Sequence, residues 1–333
     1  MKSINSEAIS GKTVIVRADF DVPVKDGVVE DSTRIEKTIP TLKLLLEKGN
    51  KLFIISHLGR PEGKDPAFSL KLTLPKLKEL FAREVAFQED LEKKAEGEVV
   101  LLENLRFWKA EEANDDLFAK KLASFGEVFV FDCFSVAHRS HASVVGIPKQ
   151  LPSYAGIEIS HEVEELSKIF KNPEHPLIAI IGGAKLETKL PAITNLAKVA
   201  DKVLVGGKLM FEVENVELPQ NVLVASDNVD GKDIGEESIE TFAKEINSAK
   251  MIVWNGPMGV FEEEKYAVGT KKVAELVANS ESYSLVGGGD TISALKEINM
   301  IEKINFVSVG GGAMLEFLEA KRLPGLEALG YYE

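Results

Sequence analysis

The sequence predicts an α/β protein built as two doubly wound parallel-sheet (Rossmann-like) domains joined by a hinge helix, and three observations lead there. At 333 residues the chain is too long for one ordinary core. Short runs rich in Val, Ile and Phe alternate with helical patterns from end to end, and continuous apolar strands separated by helices imply parallel sheets covered on both faces. The alternation occurs twice, with one long helix-like stretch between the two halves.

In the first half, strands are expected at TVIVRADF (13–20), KLFIISHL (51–58), VVLLENL (99–105) and VFVFDCF (128–134). Helical periodicity lies between them, over 41–48 and 115–124. GIEISHEVEELSKIFKNPEHP (156–176) reads as a helix closed by a proline-bearing turn. The second half offers LIAIIGG (177–183), KVLVGG (202–207), NVLVAS (221–226), KMIVWNG (250–256), YSLVGGG (283–289) and NFVSVGGG (305–312). The domains are therefore set at 1–155 and 173–319, with a hinge helix over 156–172.

Composition narrows the function. A formal charge of -13 argues against nucleic acid or an anionic membrane as the main partner. The single cysteine, Cys133, excludes an internal disulfide and suits a reducing cytosol. MKSINSEAISGK has no apolar core for a signal peptide, and no run approaches membrane-spanning length. A cytoplasmic protein is expected.

The halves differ in the residues they place after their strands. The second half carries Gly182-Gly183, Gly206-Gly207, Gly287–Gly289 and Gly310–Gly312. One glycine pair is ordinary turn chemistry, but four clusters at one sheet edge favour a phosphate-bearing ligand. None fits a Walker A loop or the dinucleotide fingerprint. The first half instead carries six of the seven arginines, five of them (Arg17, Arg34, Arg60, Arg106 and Arg139) near strand ends or in turns, with His57, His138 and His141 in the same loops. Each arginine alone could be a salt bridge to a neighbouring acid; as a set they suit a pocket gripping a small multiply charged anion through planar forks. Asp290 stands at the mouth of a glycine turn that should hold phosphate. A divalent cation between them resolves the clash; capping of a helix over 291–299 is the plainer role, and the two can coexist.

RADFDVP (17–23), DSTRI (31–35), SHLGRP (56–61), LLENLRF (101–107), AHRSH (137–141), GGAKLETK (182–189), WNGPMGVFE (254–262), GGGDT (287–291) and GGGAMLEFLEAKRLPGLEAL (310–329) together resemble phosphoglycerate kinase, in that family's order and over nearly the whole chain. The resemblance implies reversible phosphoryl transfer between 1,3-bisphosphoglycerate and MgADP, giving 3-phosphoglycerate and MgATP without a phosphoenzyme. It places Asp19, Asp21, Arg34, His57, Arg60, Arg106 and Arg139 on 3-phosphoglycerate, with Arg34 contacting the transferred group. Lys185 would hold that group and Lys189 the nucleotide phosphates. Gly183, Asn255, Glu262, Gly287, Gly288, Gly289, Asp290, Thr291, Gly310 and Gly311 complete the nucleotide side, with Asp290 on Mg2+. LPGLEAL implies that 320–333 returns to the first domain. A monomer is implied as well. No general base is needed when the acceptor is already a phosphate or carboxylate oxygen, so the histidines are expected to bind rather than shuttle protons.

Some positions depart from the family pattern. Asp21 replaces an asparagine, which should weaken anion binding unless a neighbour such as Arg17 neutralises it. FDCFSVAHR stands for NDAFGTAHR, Lys208 for a glycine and Val309 for a threonine. The chain is several tens of residues short, mostly between Lys189 and Asn255, in the part that walls the base. A non-catalytic relative that keeps the fold is the runner-up function. A nicotinamide-dependent dehydrogenase is disfavoured, because no strand is followed by the required glycine spacing.

Overall fold

The computed structural model describes residues 1–5, 9–93, 95–213 and 216–333. The chain forms two compact units, Met1–Glu162 with Arg322–Glu333, and Val163–Lys321.

The first unit holds strands β1 (Thr13–Arg17), β2 (Lys51–Ile55), β3 (Ala86–Gln88), β4 (Val99–Leu102), β5 (Val128–Phe131) and β6 (Ser153–Ala155). They form one sheet in the order β3-β4-β2-β1-β5-β6, parallel throughout. β1 is central: Val14 is in register with Leu52 on one side and Val128 on the other. The helix Thr33–Glu47 buries Ile35, Ile39, Leu42 and Leu45 at helical spacing, each contributing roughly 1.5–3 kcal/mol when fully buried. Periodicity over 41–48 marks only its second half, because Thr33, Thr38 and Pro40 dilute the pattern upstream. The reading over 115–124 matches Asp116–Ala123, where the Asp115 side chain accepts from Phe118 N and caps the helix.

Two details differ from expectation. β3 and β6 give no sequence signal, because each is a three-residue edge strand too short to show a period and defined by its neighbour's backbone. The four expected strands also end early, at Arg17, Ile55, Leu102 and Phe131. Their apolar continuations Phe20, Leu58, Leu105 and Phe134 are buried and so read as strand, but there the backbone has already turned into loops.

The second unit repeats the architecture with β7 (Leu177–Ile181), β8 (Lys202–Val205), β9 (Val222–Val224), β10 (Met251–Asn255), β11 (Tyr283–Gly287) and β12 (Phe306–Ser308). Their order is β9-β8-β7-β10-β11-β12, again all parallel. Chain order reverses between β7 and β10, the topological switch point beyond which such sheets bind ligands. Trp254 is fully buried there and donates Nε1–H to Gly256 O at 2.8 Å. The expected hinge helix is shorter than 156–172. It spans Ile157–Ser167 and tightens into i→i+3 turns through Phe170.

Candidate functional site

In the first unit the loops after β1, β2 and β4 are knitted together by buried side chains. Ser56 Oγ accepts from Phe20 N (2.9 Å) and donates to Ala18 O (2.8 Å). Asn104 Nδ2 donates to Leu58 O (2.7 Å) and Phe68 O (2.8 Å). These bonds fix where the charged residues stand. Arg34, at the start of its helix, points Nη1 at Asp21 O (3.1 Å) and lies 3.5 Å from both Asp19 Oδ1 and Asp21 Oδ2. Arg106 donates to Gly59 O at 2.6 Å and pairs with Glu112 at 3.3 Å. Arg60 and Arg139 are exposed.

Arg17 is only 1% exposed. Burying a guanidinium costs several kcal/mol unless its hydrogens find partners, and here they do: Ser143 Oγ (3.0 Å), Ala18 O (2.7 Å) and His57 Nδ1 (3.1 Å). A guanidinium can only donate, so Nδ1 of His57 must accept, and the imidazole proton sits on Nε2, which faces Asp21 at 3.6 Å. Burial, then Arg17, Arg106 and Arg34, push the His57 pKa well below its usual value. His138 and His141 are lowered to about 4 by burial, with arginines as the next causes: Arg139 and Arg60 for His138, Arg106 and Arg17 for His141. Burial first, and the surrounding guanidiniums second, keep these imidazoles neutral. The predicted basic set is thus brought together, and its histidines are not proton carriers near neutral pH.

Asp21 shows how the extra carboxylate is tolerated. Its Oδ1 accepts from Gly59 N at 2.8 Å and its Oδ2 faces Arg34 and His57. The expected neutraliser Arg17 is committed elsewhere; Arg34 takes that place, its pKa raised first by Asp19 and also by Asp21. Ser135, one of the departures in FDCFSVAHR, donates to Asp19 Oδ2 at 2.6 Å. Burial pushes the Cys133 thiol up to about 12, so it is no nucleophile.

In the second unit the glycine clusters separate into two kinds. Gly182 N and Gly183 N donate to Asn255 O and Pro257 O at 3.1 and 3.0 Å. A Cβ on Gly182 would lie 2.1 Å from Pro257 O, and one on Gly207 would lie 2.9 Å from Gly183 N. These two pairs pack loops against each other, and Gly183 offers its turn, not its amide. Gly287 is also a packing glycine, with Met314 Sδ 2.0 Å from a would-be Cβ. Gly288 (φ 97) and Gly289 instead open the helix Gly289–Glu297, and Gly289 has open space around it. Gly310 N is bound to Ser308 Oγ (3.2 Å), while Gly311 (φ 54) faces open space before the helix Gly312–Leu318. First-turn amides of a helix have no partners within it and suit an anion.

Lys185 is exposed at the N-cap position of the helix Leu186–Leu196, and Lys189 follows one turn later. Lys189 Nζ donates to Asn255 Oδ1. Burial lowers its pKa to about 8, against the opposing pull of Asp290 and Glu319. Asp290 is not the N-cap: Gly288 holds that place, and Asp290 sits exposed in the first turn. The glycine turn enters the helix two residues earlier than expected because Gly288 supplies the left-handed backbone there. Thr291 is buried, its Oγ1 accepting from Gly256 N at 2.8 Å, which ties this helix to the loop after β10. Glu262 is exposed beyond the buried Phe261.

Among the described residues, no group of three or more His, Cys, Asp or Glu side chains could hold a metal ion. The exposed Asp290 carboxylate in the first turn of the helix Gly289–Glu297 is of the kind that suits Mg2+, which takes one or two carboxylates and fills its other positions with phosphate and water.

Sequence reasoning missed Ser143 and Glu111. Ser143 N and Oγ both donate to the buried Glu111 carboxylate. Glu111 lies in the charged run KAEEAND and reads as a solvated helix face; only tertiary packing marks it.

A family model described as phosphoglycerate kinase matches residues 4–218 and 211–321. The phosphoglycerate kinase of Dictyoglomus turgidum is 39% identical across 385 aligned positions, covering 98% of this chain and 97% of its own. Those positions outnumber the 333 residues here, so the relative carries residues this chain lacks. The phosphoglycerate kinase of Borrelia garinii subsp. bavariensis is 40% identical, covering 99% and 98%. Among solved structures, the phosphoglycerate kinase of Coxiella burnetii superposes with a TM-score of 0.86 at 32% identity over 99% of both chains. That of Pyrococcus horikoshii OT3 gives 0.85 at 29% over 99% and 98%.

Proposed function

The chain belongs to the phosphoglycerate kinase family of glycolytic kinases, and we propose that its two units divide the reaction between the phosphoglycerate and the nucleotide. The reaction moves a phosphoryl group reversibly between 1,3-bisphosphoglycerate and ADP, yielding 3-phosphoglycerate and ATP. Asp19, Asp21, Arg34, His57, Arg60, Arg106 and Arg139 hold the phosphoglycerate. Lys185, Lys189, Asn255, Glu262, Thr291 and the turns at Gly288-Gly289 and Gly310-Gly311 hold the nucleotide, with Gly183 shaping the loop before Lys185. The observation that carries this reading is the cluster of arginines beyond the strand ends of the first unit, set around three imidazoles whose pKa values are lowered first by burial and then by those arginines.

In the forward direction an ADP β-phosphate oxygen attacks the acyl phosphate phosphorus, and the carboxylate of 3-phosphoglycerate leaves. Nucleophile and leaving group are both ionised oxygens, so no proton is moved. Catalysis then rests on position and charge, with Arg34 and Lys185 facing the oxygens of the transferring group. Mg2+ held by Asp290 would neutralise phosphate charge when bound with the nucleotide. Acyl phosphates hydrolyse readily, so transfer must exclude water. We take the enzyme as a cytoplasmic monomer; no helix among the described residues is long and apolar enough to cross a membrane.

Calorimetric titration tests the division. Arg139→Ala should lose 3-phosphoglycerate and keep MgATP, and Lys189→Ala the reverse. Loss of both ligands in either variant refutes it. Small-angle scattering tests closure: both ligands together should compact the molecule more than either alone, and identical profiles in all states count against it.

A further inference from the structure

Beneath the phosphoglycerate pocket runs a chain of buried polar groups that the transfer reaction does not itself require. Glu111, Ser143, Arg17 and His57 are each 3% exposed or less. Ser143 N donates to Glu111 Oε2 at 2.9 Å, and Ser143 Oγ donates to Glu111 Oε1. With its hydrogen committed, the Ser143 oxygen accepts from Arg17 Nε at 3.0 Å. Arg17 Nη2 donates in turn to His57 Nδ1 at 3.1 Å. Because a guanidinium can only donate, Ser143 Oγ and His57 Nδ1 must both accept from Arg17. His141 Nδ1 also faces Glu111, at 3.8 Å.

We propose that Glu111 and Ser143 are positioning residues: through Arg17 they hold His57 in the Nε2–H tautomer, presenting a hydrogen-bond donor to the phosphoglycerate. This rests on the assignment of His57 to that substrate. A buried carboxylate is costly unless paired; burial raises the Glu111 pKa, and Arg17 is the first charge that opposes the rise. The arrangement lets one internal anion, Glu111, balance the buried Arg17 guanidinium from within the protein interior. Were Ser143 unable to accept, Arg17 Nε would lose its partner and the guanidinium could rotate away from Nδ1. His57 would then be free to carry its proton on either nitrogen.

Nitrogen-15 NMR of the histidine rings in the full-length protein reads the tautomer directly. His57 should show a protonated Nε2 and an accepting Nδ1 at neutral pH. A proton on Nδ1 in the unaltered protein overturns the proposal before any variant is made. In Ser143→Ala and Glu111→Gln, His57 should become a tautomer mixture and the KM for 3-phosphoglycerate should rise about tenfold, the scale of one lost hydrogen bond. The nucleotide KM should stay unchanged, which general destabilisation would not ensure. Ser143→Ala removes one atom and serves if Glu111→Gln does not fold. Unchanged tautomer and KM in Ser143→Ala refute the relay. His57→Ala separates the two levels: if it leaves the 3-phosphoglycerate KM untouched, the substrate assignment of His57 has failed; if it raises that KM while Ser143→Ala does not, only the relay has failed.

Discussion

In the first unit the loops beyond the sheet carry guanidinium groups, buried to 1% exposure at Arg17 and locked by serine, histidine and backbone acceptors. In the second unit the equivalent loops carry glycine turns, helix N-termini and lysines, of which Lys185 is exposed and Lys189 partly so. In the function proposed above, both would have to hold phosphate in a chain of net charge -13. Side-chain forks give a rigid pocket for a small ligand whose every oxygen matters. Backbone amides and flexible ammonium groups suit a ligand that arrives with its own metal and leaves changed. The first design invests in a pre-ordered interior, and the second leaves charge uncommitted until the ligand comes.

The largest test of this contrast removes one cation from each side. Arg34→Ala and Lys185→Ala should each lower kcat at least about a hundredfold, the scale of losing one transition-state donor (~2.7–4 kcal/mol). KM for either substrate should move far less. If Lys185→Ala raised KM with kcat intact, the lysine would contribute only uniform binding, and the role assigned to it would be wrong.

Asp290→Asn probes the second unit alone. Gly288 occupies the cap position, so helix capping gives no reason for a carboxylate at 290. Losing its charge should raise the KM for magnesium-nucleotide about tenfold (~1.4 kcal/mol) and leave the phosphoglycerate KM as it was. A magnesium titration indistinguishable from that of the unaltered enzyme would remove the metal role.

The contrast between the units is legible in part from the sequence alone. Ten of the twelve strands in the two six-stranded sheets announce themselves as runs of Val, Ile, Leu and Phe, because parallel strands buried on both faces have no polar alternation to hide them. Arginines and glycine turns at strand ends mark the two ligand sides for a similar local reason. Features that depend on distant neighbours are not readable. Gly182-Gly183 and Gly206-Gly207 look like phosphate turns, and nothing in the sequence shows how closely their two loops pack, with a Cβ on Gly207 lying 2.9 Å from Gly183 N. Asp21 seems to need Arg17, and it is Arg34, thirteen residues along, that swings to it. Glu111 gives no local signal at all.

A pH series should separate the units next. Lys189 has a pKa lowered to about 8 by burial. Its protonated form is the one that attracts phosphate, so raising pH through that value removes the charge. The nucleotide KM should therefore rise by up to about tenfold for each further pH unit. On the other side the arginines keep their charge, and His138 and His141, lowered to about 4, are neutral across the same window. The phosphoglycerate KM should stay flat between about pH 7 and 9. Lys189→Arg should abolish the nucleotide trend, and a flat nucleotide profile in the unaltered enzyme would show that Lys189 does not govern this affinity.

The smallest expected effect concerns the base. The chain is short of its relatives, and we place the deficit mainly between Lys189 and Asn255, a stretch that carries the four-residue helix Leu209–Glu212 and the three-residue strand β9. Phe211 and Val229 in this stretch are each 36% exposed. The groups proposed above for phosphate recognition, Gly288-Gly289, Gly310-Gly311, Lys185, Lys189 and Asp290, lie outside that segment. Shortening the wall while keeping the cradle should cost base affinity without disabling transfer. GTP and ITP should then be used with kcat/KM within about tenfold of ATP, since a lost apolar contact is worth only ~1–3 kcal/mol. Strong discrimination would require hydrogen bonds to the base edge, which reject a wrong base far more sharply than packing does. Competition assays at equal magnesium-nucleotide concentrations decide it. A preference for ATP of about a hundredfold or more would mean that the absent residues were surface elements remote from the purine, and that the second unit encloses its ligand as closely as the first.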